Sequence, residues 1–189
     1  MANRKKKQGR KEVLDRWKAE QRALARRTLP PPIQEMQHEI LGAIKPSDAF
    51  QGDGIATIEH ESRKIQIHIS PDGEHFKTTL KLAEGVVTRL KELDRTAKRI
   101  IVRDLRDCYN GGWNEYQVAQ EDGSVKTVRN PQLSERDFET KFSLIEAEVV
   151  GKRMIDFIYE DSGLFWGHSV IVTSLSGIDF SDAEAELFG

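Results

Sequence analysis

Residues 55–69 read IATIEHESRKIQIHI, and this stretch decides the fold. Ile55, Thr57 and Glu59 alternate with Ala56, Ile58 and His60, and Ile65, Ile67 and Ile69 alternate with Gln66 and His68. Two short runs of period two predict a β-hairpin with one apolar and one polar face. A turn centred on Ser62-Arg63 would pair Ile58 with Ile67 and Ala56 with Ile69, leaving Thr57 opposite His68 and Glu59 opposite Gln66 on the polar side. His60 and His68 then lie on opposite faces and cannot share a metal. Pro71-Asp72-Gly73 ends the second strand.

Toward the C-terminus the period changes. Phe76, Leu80, Ala83, Val87 and Leu90 step by three and four, which predicts a helix. Asp94 is the expected N-cap of a second helix whose apolar face carries Ala97, Ile100, Ile101, Leu105 and Cys108. That placement makes Cys108 a buried, inert thiol. Asn110-Gly111-Gly112 stops the helix, Asp122-Gly123 turns a polar hairpin, and Ser134 with Asp137 starts one short helical turn. Residues 142–150, 154–159 and 169–175 are β-branched and aromatic. A last strand is expected from Phe180 to Leu187, with Asp182, Glu184 and Glu186 on one face and Ala183, Ala185 and Leu187 on the other. Hairpin, two helices and a strand meander predict an α+β domain, a mainly antiparallel sheet packed with two central helices.

Toward the N-terminus the chain is read as an appendage. Residues 1–27 hold eleven Lys/Arg against three acids, a balance of +8, whereas the rest of the chain balances at −10. Lys11 to Arg27 are good helix formers in which Lys18, Arg22 and Arg26 share a face, preceded by the run Lys5, Lys6, Lys7. Pro30-Pro31-Pro32 ends this helix, a short helix is expected over 33–44, and the domain is taken to run from 46 to 189 behind an arm of 1–45. Beyond Arg153 there are seven acids and no Lys or Arg. A single cysteine excludes an internal disulfide framework and a cysteine-cluster zinc site, and no apolar run approaches the ~20 residues of a membrane span. With no secretory signal, the expected setting is a soluble protein of the cytoplasm.

The run Phe157-Ile158-Tyr159-Glu160-Asp161-Ser162-Gly163-Leu164-Phe165-Trp166-Gly167-His168-Ser169-Val170-Ile171-Val172 resembles the signature of a bacterial family known as domain of unknown function 2262. Asn110-Gly111-Gly112-Trp113-Asn114 and the segment from Ser134 to Phe142 occur in matching order, so the likeness spans roughly residues 50–189. The resemblance implies a bacterial cytoplasmic domain and carries no activity with it.

Candidate chemistry gathers near one histidine. His168, with Glu160 and Asp161 upstream and Trp166 beside it, is a candidate general base of a hydrolase, and the competing reading has it bonded to a backbone group. Phe165 and Trp166 are expected to plug the core or, with Asp182, Glu184 and Glu186, to meet a protein partner. The five histidines form no dense ligand spacing, and Gly111-Gly112 lacks a nucleotide-loop context, so neither metal nor cofactor is expected. Two functions follow. The first is a non-catalytic interaction module whose acidic C-terminal sheet neutralises or scaffolds a protein partner. The second is a nucleic-acid-associated protein using Lys5, Lys6, Lys7, Lys18, Arg22 and Arg26 as a polyanion-binding arm.

Overall fold

The structure, a computed structural model, describes residues 30–120 and 122–189. The expected helix over Lys11–Arg27, and with it the basic residues of the arm, lies outside the described residues. In chain order the elements are β1 (Met36–His38), β2 (Gly42–Pro46), β3 (Gly54–His60) and β4 (Arg63–Ser70), then helices α1 (Phe76–Thr88) and α2 (Leu90–Cys108). The small hairpin β5 (Glu115–Ala119) and β6 (Val125–Arg129) and the short helix α3 (Glu135–Glu139) follow, and β7 (Ser143–Val150), β8 (Met154–Glu160), β9 (Ser169–Ser174) and β10 (Glu184–Phe188) complete the domain.

Eight strands form one sheet in the order β1-β2-β3-β4-β7-β8-β9-β10. Every junction is antiparallel except β4–β7, which is parallel because both helices and the β5–β6 hairpin intervene there. The architecture is α+β. The helices cover one face of the sheet. Ile65, Ile67 and Ile69 of β4, Ala147 and Val149 of β7, and Ile155, Phe157 and Tyr159 of β8 are buried on that face beneath Ala83 and Val86 of α1 and Leu93, Ala97 and Ile101 of α2. The opposite face carries the polar half of each alternation.

The expected hairpin forms, with a different register. Ile58 pairs with Ile65 and Ala56 with Ile67, two residues from the expected alignment. The turn is Glu61-Ser62, both left-handed (φ 49° and 64°), so the loop is two residues long and its twist matches that of the strands. A shift of two preserves faces, and His60 and His68 do lie on opposite sides.

Four local expectations are corrected. Residues 33–44 form no helix: β1 and β2 make a hairpin that adds to β3, with Leu41 and Ile44 buried. Gly54 explains the close fit there, since a methyl group on it would come within 2.9 Å of Ile33 and 3.0 Å of Ile44. Asp94 is no N-cap; α2 begins at Leu90 directly after Arg89, and Asp94 points inward from its first turns. Cys108 is exposed, because the buried line of α2 steps by four through Leu93, Ala97, Ile101 and Leu105 to Tyr109, one residue beyond the cysteine. The last strand begins at Glu184, not Phe180: Phe180 is left-handed (φ 55°), and Asp182 instead accepts hydrogen bonds from the backbone of Leu175 (3.2 Å) and Ser176 (3.1 Å).

Candidate functional site

The sheet face away from the helices is acidic. Strand registers align Lys45, Ile55, His68, Glu148, Asp156, Thr173 and Glu184 in one row across six junctions, and Thr57, Gln66, Glu146, Ile158, Ile171 and Glu186 in the row beside it. Glu146, Glu148, Asp156, Glu184 and Glu186 therefore surround the half-buried pair Ile158 and Ile171, with adjacent strands ~4.8 Å apart. On β7 to β10 this face has no Lys or Arg. Partial burial pushes the Glu148 carboxyl up, and the neighbouring Asp156 adds to the shift. Asp156 is raised for the same first reason, opposed by the Thr173 hydroxyl that donates to it at 2.6 Å. Where β2 to β4 continue the face, the loop 47–53 overhangs an open hollow of about 580 Å³ lined by Lys45, Phe50, Ile55 and His68.

A second feature is the loop between β8 and β9. Asp161 is buried and its carboxylate accepts from the backbone N–H groups of Gly163 (2.8 Å) and Phe165 (2.6 Å). His168 is fixed by Nδ1 at 2.7 Å from the Phe165 carbonyl, and Glu160 reaches Arg63 at 3.3 Å. The imidazole and the two carboxylates are thus each engaged separately: Glu160 ends β8, Asp161 and His168 lie in the loop that follows, and they form no acid–base pair. Phe165 is fully buried against Tyr109, Trp113 and Phe138. Trp166 is 55% exposed, so it does not plug the core. Its ring lies on Trp113 at 5.0 Å between centroids, and Trp113 in turn meets the edge of His168 at 5.3 Å.

The third feature lies on the helix side. Asp94, 3% exposed, accepts from the Tyr159 hydroxyl at 2.8 Å, from Lys98 Nζ at 3.0 Å, and sits 3.2 Å from His60 Nε2. His60, Glu61 and Asp94 offer ligand atoms close enough together to hold a metal ion. The Lys98 ammonium already stands among these groups, 3.5 Å from Glu61 and 3.0 Å from Asp94, and supplies the positive charge the carboxylates need. This cluster ties the β3–β4 turn to α2 and β8.

The profile of a family described as "Uncharacterized protein conserved in bacteria (DUF2262)" matches residues 38–184. The chain belongs to this family. No curated protein and no solved structure matches the chain.

The DUF2262 match begins in the β1–β2 hairpin and ends at the start of β10, so it takes in Asp94, Trp113, Glu146, Glu148, Asp156, Trp166 and Glu184. Of the residues singled out from sequence, Glu184 and Glu186 lie on the acidic sheet face, while Asp182 serves the turn at 174–176. Glu146-Ala147-Glu148-Val149 alternates acid with apolar residue and so marks Glu146 and Glu148 in the sequence, whereas Asp156 joins them only through the pairing of β7 with β8. Asp94 was hidden by its resemblance to a cap. Among the described residues of this DUF2262 chain, no helix is long and apolar enough to cross a membrane.

Proposed function

We propose that the domain is a non-catalytic receptor for a basic protein partner, engaged by the helix-free face of the sheet. One observation carries this reading: five carboxylates from β7, β8 and β10 surround an apolar pair on a face that has no cation of its own on those strands. Burial raises the carboxyls of Glu148 and Asp156, and repulsion from Asp156 on the first and from Glu186 on the second adds to it, so a partner that brings lysine or arginine removes an existing penalty as it binds. Ile158 and Ile171 supply the apolar centre that a charged rim alone would lack. Such a receptor neutralises or scaffolds its partner in the bacterial cytoplasm without chemistry. The test is calorimetric titration of the full chain with a nine-residue lysine peptide. Replacing Glu148, Asp156, Glu184 and Glu186 by their amides is expected to weaken binding at least tenfold at low salt.

A second reading rests on the charge of residues 1–27, +8 by count, which suits RNA or DNA. It treats Lys5, Lys6, Lys7, Lys18, Arg22 and Arg26 as phosphate contacts. Salt-sensitive RNA binding that survives the four amide replacements and is lost without residues 1–27 supports it.

A further inference from the structure

Trp166 combines two features that are each unfavourable for a large aromatic residue. Its backbone is left-handed (φ 53°), a conformation that costs a side chain with a Cβ roughly 1 kcal/mol or more, and over half of its surface faces water. Glycine would relieve the first and any small polar residue the second. The surrounding loop enforces this placement: Ser162, Gly163 and Gly167 are also left-handed, and the buried Asp161 carboxylate locks the intervening backbone. Strained backbone that is held in place by buried hydrogen bonds is a mark of a binding position.

The neighbourhood defines what could bind. Trp113 and Trp166 form a two-ring wall beside an open hollow of about 550 Å³, whose remaining lining is Asp107, Cys108, Gly111 and Gly112. A methyl group placed on either glycine would meet no atom within 4 Å, so the floor is free of side chains. Among the described residues Asp107 is the one charged group in the lining; its side chain is 86% exposed, and its Oδ1 accepts from Arg106 at 3.0 and 3.2 Å. The exposed indole face of Trp166, inclined at 46° to Trp113, an unobstructed floor and one carboxylate fit a long side chain with a planar cation at its end.

We propose that this shelf receives an arginine side chain of the protein partner, its guanidinium stacked on Trp166 and donating to Asp107. Arginine is favoured over lysine because its planar fork both stacks on indole and pairs with a carboxylate. The proposal rests on the reading of the domain as a receptor for a basic partner and adds a second contact, separate from the acidic sheet face.

The test compares nona-arginine and nona-lysine peptides on the full chain. In wild-type protein, the indole N–H resonance of Trp166 shifts with arginine peptide at lower concentration than with lysine peptide. Trp166→Ala weakens the arginine peptide by roughly three- to thirty-fold and reduces its advantage over the lysine peptide. The indole measurement needs no variant, so it decides the matter even where Trp166→Ala alters the loop. An indole resonance unmoved at saturating arginine peptide overturns the shelf. If Trp166→Ala leaves arginine affinity unchanged while the four sheet amides abolish it, the shelf is wrong and the receptor reading stands. If only Trp166→Ala matters, the sheet face is wrong and the shelf stands.

Discussion

The hydroxyl of Tyr159 donates a 2.8 Å hydrogen bond to Asp94 Oδ1 inside the protein, joining the middle of the sheet to α2. A buried carboxylate with three donors around it tolerates burial; one that loses a donor does not. Tyr159→Phe is therefore expected to lower stability by about 1.5–3 kcal/mol, the range for a hydrogen bond to a charged group, measured by urea unfolding. Burial and the adjacent Asp94 charge also push the Tyr159 hydroxyl well above the usual phenol range. A raised acid is held protonated by the fold, so this contribution is full below pH ~10 and declines as pH rises beyond it. The gap between wild type and Tyr159→Phe should narrow on that alkaline side. An equal gap at pH 8 and pH 11 would contradict the assignment.

Phe165 and Trp166 are neighbours with opposite roles, and substitution separates them. Phe165 is fully buried in an aromatic cluster, so Phe165→Ala is expected to cost about 3–5 kcal/mol. Trp166→Gly removes an exposed ring and a left-handed side chain together, and its unfolding free energy should stay within ~1 kcal/mol of wild type. A large loss at Trp166 would place that ring in the core after all.

Why was part of this legible from sequence and part not? Period-two and period-3.6 patterns exposed the β3–β4 hairpin, both long helices and the meander, because burial on one face writes itself into alternation. The register of the hairpin depended on the left-handed backbone of Glu61 and Ser62, which residue type does not announce. Residues 33–44 misled because Met36, Ile40, Leu41 and Ile44 have helical spacing, yet it is pairing of β2 with distant β3 that buries Leu41 and Ile44. The acidic face was half visible: Glu184 and Glu186 stood out at the basic-poor end, while Glu148 and Asp156 join them only through strand pairing.

The β1–β2 hairpin is expected to belong to the folding unit, since β2 pairs with β3. A chain starting at Pro32 should unfold cooperatively, whereas one starting at Ser47 exposes the core-facing side of β3 and loses Leu41 and Ile44, each worth roughly 1.5–3 kcal/mol of burial. Thermal unfolding of the two chains checks this. Equal midpoints would show that the hairpin is dispensable.

The acidic face should cost stability. Glu148 and Asp156 are both raised chiefly by burial, so the folded state binds their protons more tightly than the unfolded chain does. Charge at these positions therefore opposes folding at neutral pH, and the penalty disappears as pH falls below about 4 and both states become protonated. Glu148→Gln is expected to raise the denaturation midpoint at pH 7 and to leave it unchanged near pH 3. A variant that is destabilised at pH 7 would mean that Glu148 is needed for the fold, not held in reserve for a partner.

The central claim is that a basic partner lands on the sheet face around Ile158 and Ile171. Methyl-resolved NMR of the full chain, titrated with the nine-residue lysine peptide, tests it most directly. Saturable shifts of the Ile158 and Ile171 methyls that weaken with added salt are expected, while Ile67 and Ile101, buried between sheet and helices, stay still. Saturable binding that leaves Ile158 and Ile171 unmoved would contradict it.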